Sequence, residues 1–158
     1  MKKSVYLDST IISYLVDERN EIHNFIDITK NWWSTQRKFY LLYLSLETIA
    51  ELEAGNYPNK DKALNFASKV DILPRDREIE LIAEFYIENA LMPRNIMGDA
   101  VHLAYASFYK IDFLMTWNCK HLANANKKPH IRAINTKLGL FIPEIITPLE
   151  LYKEDNDA

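Results

Sequence analysis

Four residues with side-chain oxygens fall where regular structure is expected to begin or end: Asp8, Glu51, Asp99 and Asn118. Asp8 closes the β-prone run Ser4-Val5-Tyr6-Leu7. Asp99 stands in the first turn of a helix. A carboxylate there meets free backbone N–H groups and the positive end of the helix dipole. Asn118 follows the apolar run Phe113-Leu114-Met115, and Glu51 lies one helical turn from Glu47. Acids that are far apart in sequence and converge on one sheet edge suit a hard divalent ion. Mg²⁺ takes oxygen ligands in near-octahedral geometry and keeps several waters. An ion so held generates a nucleophilic hydroxide and neutralises charge on a phosphate. Cys119 is the only cysteine and there is no His-x-x-x-His, so zinc is the weaker choice.

Each residue also has an ordinary role available. Asp8 and Asp99 could be helix caps, Asn118 a turn former, and Glu47 rather than Glu51 the acid that faces the others. Thr10, two residues after Asp8, could bond a ligand acid or phosphate, or serve only as a helix-start hydroxyl. His102, one turn after Asp99, reads as a satisfied structural histidine more readily than as a base.

The elements that must position these groups alternate. A strand at Ser4–Leu7 leads into a helix from about Ser9, and residues 17–24 form a polar turn. A helix over Phe25–Arg37 turns Phe25, Ile28, Trp32 and Trp33 inward, and a strand spans Phe39–Leu44. Ser45 caps a helix through Ala54 that Gly55 ends. A short helix over Asn59–Lys69 and a strand at Val70–Leu73 precede a helix over Arg77–Leu91. Pro93 and Gly98 break the chain ahead of the Asp99 helix, whose inner stripe is Ala100, Leu103, Ala104, Ser107 and Phe108. Pro129 starts a helix that Gly139 ends, and Ile142–Thr147 forms a last strand. The pattern predicts an α/β domain of three layers, with a central, mainly parallel sheet flanked by helices. In such sheets chemistry collects at the carboxyl edge. One domain is expected over residues 1–152, with a polar tail at 153–158.

Length and composition agree: 158 residues, 48% hydrophobic and 26% charged, suit one soluble domain with a sizeable core. A lone cysteine fits a reducing cytoplasm, and no apolar run is long enough to span a membrane. The net charge is −3 but unevenly spread. Residues 113–143 hold no acid and carry Lys120, Lys127, Lys128, Arg132 and Lys137, leaving about −8 on the remainder. This reads as an acidic site beside a basic surface.

Four motifs, in order along the chain, resemble those of PIN domains of the VapC toxin type. They are Tyr6-Leu7-Asp8-Ser9-Thr10, Ile49-Ala50-Glu51-Leu52 with Gly55, Gly98-Asp99-Ala100-Val101-His102-Leu103-Ala104, and Thr116-Trp117-Asn118-Cys119-Lys120-His121. The resemblance implies a PIN-like endoribonuclease dependent on Mg²⁺ or Mn²⁺, leaving 3′-hydroxyl and 5′-phosphate ends. It implies metal-site acids at Asp8, Glu51 and Asp99, and a catalytic position at Asn118, where many members carry aspartate. Thr10, Lys120 and His121 are the matching candidates for contact with RNA. It also implies a cognate antitoxin, a homodimer and a cytoplasmic protein. Two other readings remain: an inactive PIN domain acting as a binding module, and a phosphatase with Asp8 as nucleophile. The latter wants a second acid where Thr10 stands.

Overall fold

Alternating apolar and amphipathic runs build β1 (Lys3–Leu7), α1 (Ser9–Val16), α2 (His23–Thr35), β2 (Tyr40–Leu44), α3 (Leu46–Glu53), α4 (Lys60–Ala67) and β3 (Asp71–Ile72). Then come α5 (Arg77–Glu88), α6 (Met97–Phe108), β4 (Phe113–Met115), α7 (Lys128–Leu138) and β5 (Glu144–Ile146). The structure is a computed structural model and describes residues 1–154. The strands form one sheet in the order β3-β2-β1-β4-β5, with every pairing parallel. From β1 the chain winds outward through β2 and β3, then crosses back to β4 and β5. The topological switch point therefore lies between β1 and β4, whose carboxyl ends carry Asp8 and Asn118.

The central strand β1 decides the layering. Val5, Tyr6 and Leu7 are all fully buried, and strand alternation sends them to opposite faces. Tyr6 joins a core with Ile79, Tyr86, Leu103 and Ile134 from α5, α6 and α7. Val5 and Leu7 join a second core with Ile11, Trp32, Leu52 and Ala63 from α1, α2, α3 and α4. Helices thus cover both faces, which is why Val5–Leu7 of β1 and all of β4 can be apolar.

Several local expectations are corrected. Helix α2 starts at His23, and its buried stripe is Ile26, Thr29, Trp32 and Trp33. Phe25 is instead exposed and packs edge-on against Trp117, with ring centroids 5.0 Å apart. Gly98 does not break the chain ahead of α6 but is the second residue of that helix. Ser45 makes no capping bond, because its hydroxyl lies 2.6 Å from the Tyr6 hydroxyl. The tail expected from Lys153 begins tethered: the Lys153 amide donates to Gln36 Oε1 at 2.8 Å. Residues 155–158 of that tail lie outside the described residues. Among the described residues, no helix is long and apolar enough to cross a membrane.

Candidate active site

Asp8 is the N-cap of α1 and accepts from the Thr10 amide at 3.0 Å. The Thr10 hydroxyl donates to the same oxygen, Oδ1, at 2.5 Å, and the Thr116 hydroxyl donates to Oδ2. Both hydroxyls also accept. Thr10 Oγ1 takes the Trp117 amide and Thr116 Oγ1 takes the Asn118 amide, each at 2.9 Å. Two threonines thus stitch the ends of β1 and β4 around one carboxylate, which is only 2% exposed. Burial pushes the Asp8 carboxyl above its usual range, and Glu51 adds to this. The positive charge of His102 and the two hydroxyls pull the other way.

Asp99, in the first turn of α6, is half-buried. It accepts one hydrogen bond, from Asn118 Nδ2 at 2.7 Å. Burial first, then the charges of Asp8 and Glu51, push its carboxyl up to about 6, against the opposing pull of His102 and Lys127. Asn118 is turned the other way from the sequence expectation of an oxygen offered to the site. Its Oδ1 accepts from the amides of Lys120 and His121, at 3.2 and 3.0 Å, so its NH₂ must face Asp99. It closes the turn after β4 and braces Asp99 in one act.

Glu51 lies on α3 and reaches across to α6, where its Oε1 is 2.5 Å from His102 Nε2. Burial would raise its carboxyl, but the His102 bond and charge, with help from Ser9, hold it below the usual range. A Cβ at Gly98 would lie 2.6 Å from Glu51 Oε2 and 3.2 Å from Glu47 Oε1. Both α3 acids therefore flank Gly98, and Glu51 alone is tied to the histidine.

Thr10 is in place as a partner of Asp8. Lys120 is exposed and His121 half-buried, both on the turn that Asn118 closes. Burial, then the neighbouring charges of Lys127 and Lys120, push the His121 imidazole below its usual range. The sequence reading missed two members of the site. Thr116 was visible beside Trp117-Asn118 but unremarkable as a strand-end threonine. Lys127 appeared only as one of five bases. It is half-buried, donates to the Leu91 carbonyl at 2.6 Å, and is near enough to lower the carboxyl of Asp99.

The donor set is all carboxylate oxygen, and the charges of Asp8 and Glu51 disfavour ionisation of Asp99 when no cation is near. A hard divalent ion relieves that repulsion. Among the described residues, no three His, Cys, Asp or Glu side chains sit close enough to cage a metal by themselves. Carboxylate oxygens are the donor type that Mg²⁺ or Mn²⁺ takes. The set does not fit a closed zinc site.

Solved structures share this fold. A toxin–antitoxin complex from Klebsiella pneumoniae aligns with a TM-score of 0.58 at 20% identity, over 78% of this chain and 94% of that one. VapBC2 from Rickettsia felis, bound to a DNA fragment from its promoter, aligns with a TM-score of 0.56 at 17% identity, over 89% and 97%. VapC20 from Mycobacterium tuberculosis, a sarcin-ricin loop cleaving toxin, aligns with a TM-score of 0.51 at 14% identity, over 70% and 87%. At these identities the likeness is one of fold: the chain has a VapC-like fold. No sequence-family model and no curated protein matches it.

Proposed function

We propose that this chain is a Mg²⁺- or Mn²⁺-dependent endoribonuclease and the toxin of a toxin–antitoxin pair. The observation that carries the reading is the meeting of Asp8 and Asp99 at the switch point of an all-parallel sheet. Asp99 is pushed up to about 6 by burial and by the charges of Asp8 and Glu51. Perturbed acids at a sheet's carboxyl edge are candidates for a functional site. The fold adds direction, since one neighbour is a sarcin-ricin loop cleaving toxin and another is a toxin–antitoxin complex.

In this reading Asp8 and Asp99 would hold the ion, and Glu51 would reach it through water. The ion, once bound, supplies an activated water at neutral pH and offsets charge on the phosphate. Asp8 is already fixed by Thr10 and Thr116, so little reorganisation is spent when substrate arrives. Lys127 puts a positive charge beside Asp99, and Lys120 is exposed on the turn that Asn118 closes. Both suit an incoming RNA phosphate. Hydrolysis forms an oxygen–phosphorus bond from water and breaks the bond to O3′, which takes the second water proton. The products are a 3′-hydroxyl and a 5′-phosphate.

A second reading is an inactive domain that binds RNA or a partner. The Asn118 amide, which gives Asp99 an N–H rather than giving an ion an oxygen, favours it. Incubating the purified protein with RNA and Mg²⁺ or Mn²⁺, with and without EDTA, separates the two. Ion-dependent cleavage with 5′-phosphate ends is expected. RNA binding without cleavage at any ion concentration supports the inert module instead.

A further inference from the structure

His102 is 1% exposed, and both of its ring nitrogens are engaged inside the protein. Nδ1 is 2.6 Å from the Tyr6 hydroxyl, and Nε2 is 2.5 Å from Glu51 Oε1. Tyr6 is itself fully buried, and its hydroxyl is 2.6 Å from Ser45 Oγ. Nearby, the Thr48 hydroxyl donates to the Leu7 carbonyl at 3.2 Å. A continuous buried strut therefore runs from the centre of β1, through α6, to the acid on α3. Its outer end is the Glu51 carboxylate, whose side chain is 33% exposed. The other oxygen, Oε2, lies in the notch that Gly98 leaves open. Glycine inside a helix is unfavourable relative to alanine, and the space for Glu51 is the physical reason to carry it here.

Glu51 is thus held at Oε1 by His102, with room for Oε2 beside Gly98. It lies near enough to Asp8 and Asp99 to raise their carboxyls, yet the three do not close into a metal cage. We infer that His102, braced by Tyr6, is a positioning residue that holds Glu51 out of direct coordination, so that the ion rests on Asp8 and Asp99 alone and keeps its waters. This rests on the metal-nuclease reading above. The chemical reason is the water count: each carboxylate that enters the shell of a hexacoordinate ion displaces a water, and hydrolysis draws its nucleophile from those waters.

The test is Mn²⁺ binding to the full chain without RNA, followed by calorimetry, in a double-mutant cycle. His102→Leu releases Glu51 to swing onto the ion, and Mn²⁺ Kd should fall by about 5- to 20-fold while kcat for RNA cleavage drops. In the Glu51→Gln background the same substitution should change Kd by less than about twofold. His102→Gln, whose amide can still donate to Glu51, should restore the wild-type Kd. Tyr6→Phe removes the brace and keeps the ring, so it reads the same strut if His102→Leu does not fold. A weaker Kd in His102→Leu means that the histidine presents Glu51 as a direct ligand, and overturns the inference. Equal tightening in both backgrounds does so too, since it reports only the loss of a nearby positive charge. Absence of Mn²⁺ binding in the wild type and every variant overturns the metal reading itself.

Discussion

Asp8 and Asp99 carry the same side chain to the same edge of the sheet, yet the chain holds them in opposite ways. Asp8 is buried, with three donors on its two oxygens, two from Thr10 in the first turn of α1 and one from Thr116 after β4. Asp99 is half-buried on the head of a helix and takes one donor. The first is a keystone whose geometry is settled by the sheet. The second is an adjustable arm whose charge is poorly compensated until a cation comes. In the proposed metal site, the fixed acid would set where an ion sits and the less constrained one would follow it.

Stability measurements on the metal-free protein should expose this contrast most strongly. Asp8→Asn sets an amide NH₂ against hydroxyl donors in a buried position and should cost about 1–3 kcal/mol. Asp99→Asn should do the reverse. With its carboxyl raised to about 6 from an ordinary 3.8, the folded state favours the protonated form. The charge therefore costs stability above pH 6, and the cost disappears as pH falls towards 4. Solvent screening at this rim reduces the effect to on the order of 1 kcal/mol, or about 2–4 °C in Tm. Asp99→Asn should melt higher than wild type at pH 7, and the two should converge near pH 4. Parallel melting curves for Asp8→Asn and Asp99→Asn across that window would erase the distinction.

Gly98→Ala sharpens the comparison from the side of Glu51. The new Cβ would sit 2.6 Å from Glu51 Oε2, and the flexible carboxylate end must yield. Alanine gains about 1 kcal/mol of helix propensity over glycine, so little net change in Tm is expected. Cleavage should fall by about tenfold or more, because Glu51 is displaced while Asp8 is untouched. Unchanged cleavage would remove Glu51 from the account. Glu47, the other neighbour of Gly98, lacks the His102 tie, and Glu47→Gln should lose much less activity than Glu51→Gln.

Asn118 tests the adjustable arm. Asn118→Asp would replace the N–H at 2.7 Å from Asp99 with a second carboxylate. The Mg²⁺ needed for half-maximal activity should drop several-fold, since an added anion beside the ion strengthens attraction. Asn118→Ala should raise it, because Asp99 loses its brace and the Lys120 and His121 amides lose their acceptor. Equal requirements in both variants would reduce Asn118 to a turn former. A smaller effect is expected at the exposed bases. Reversing Lys120, Lys128 and Arg132 together should raise the apparent KM for RNA and flatten its salt dependence. An unchanged salt slope would assign that face to solvent or to a protein partner.

The fixed half of the site was the legible half. Asp8 after an apolar strand, with a helix starting at once, states its own position. The parallel sheet followed in the same way from buried strands separated by helices. The adjustable half was harder to read because its determinants are pairings rather than positions. Nothing in Trp117-Asn118 tells which way an amide points until the amides of Lys120 and His121 claim its oxygen. Thr116 gains meaning only when β4 lies beside β1. Gly98 looked like a breaker because glycine usually is one. Its role as a notch for Glu51 depends on α3 packing near α6, a contact across about fifty residues that local periodicity does not carry. Phe25 was placed inward by spacing alone, but the buried stripe of α2 runs through Ile26, Thr29, Trp32 and Trp33 and leaves it outside.

The most direct test of the central claim is RNA cleavage by Asp99→Asn during a Mg²⁺ titration, beside the wild type and with the fold checked by its melting curve. If the ion rests on Asp8 and Asp99, the folded variant should lose cleavage by at least about 100-fold at saturating Mg²⁺, equivalent to ~2.7 kcal/mol of transition-state stabilisation. Near-normal, Mg²⁺-dependent cleavage by Asp99→Asn would contradict the account.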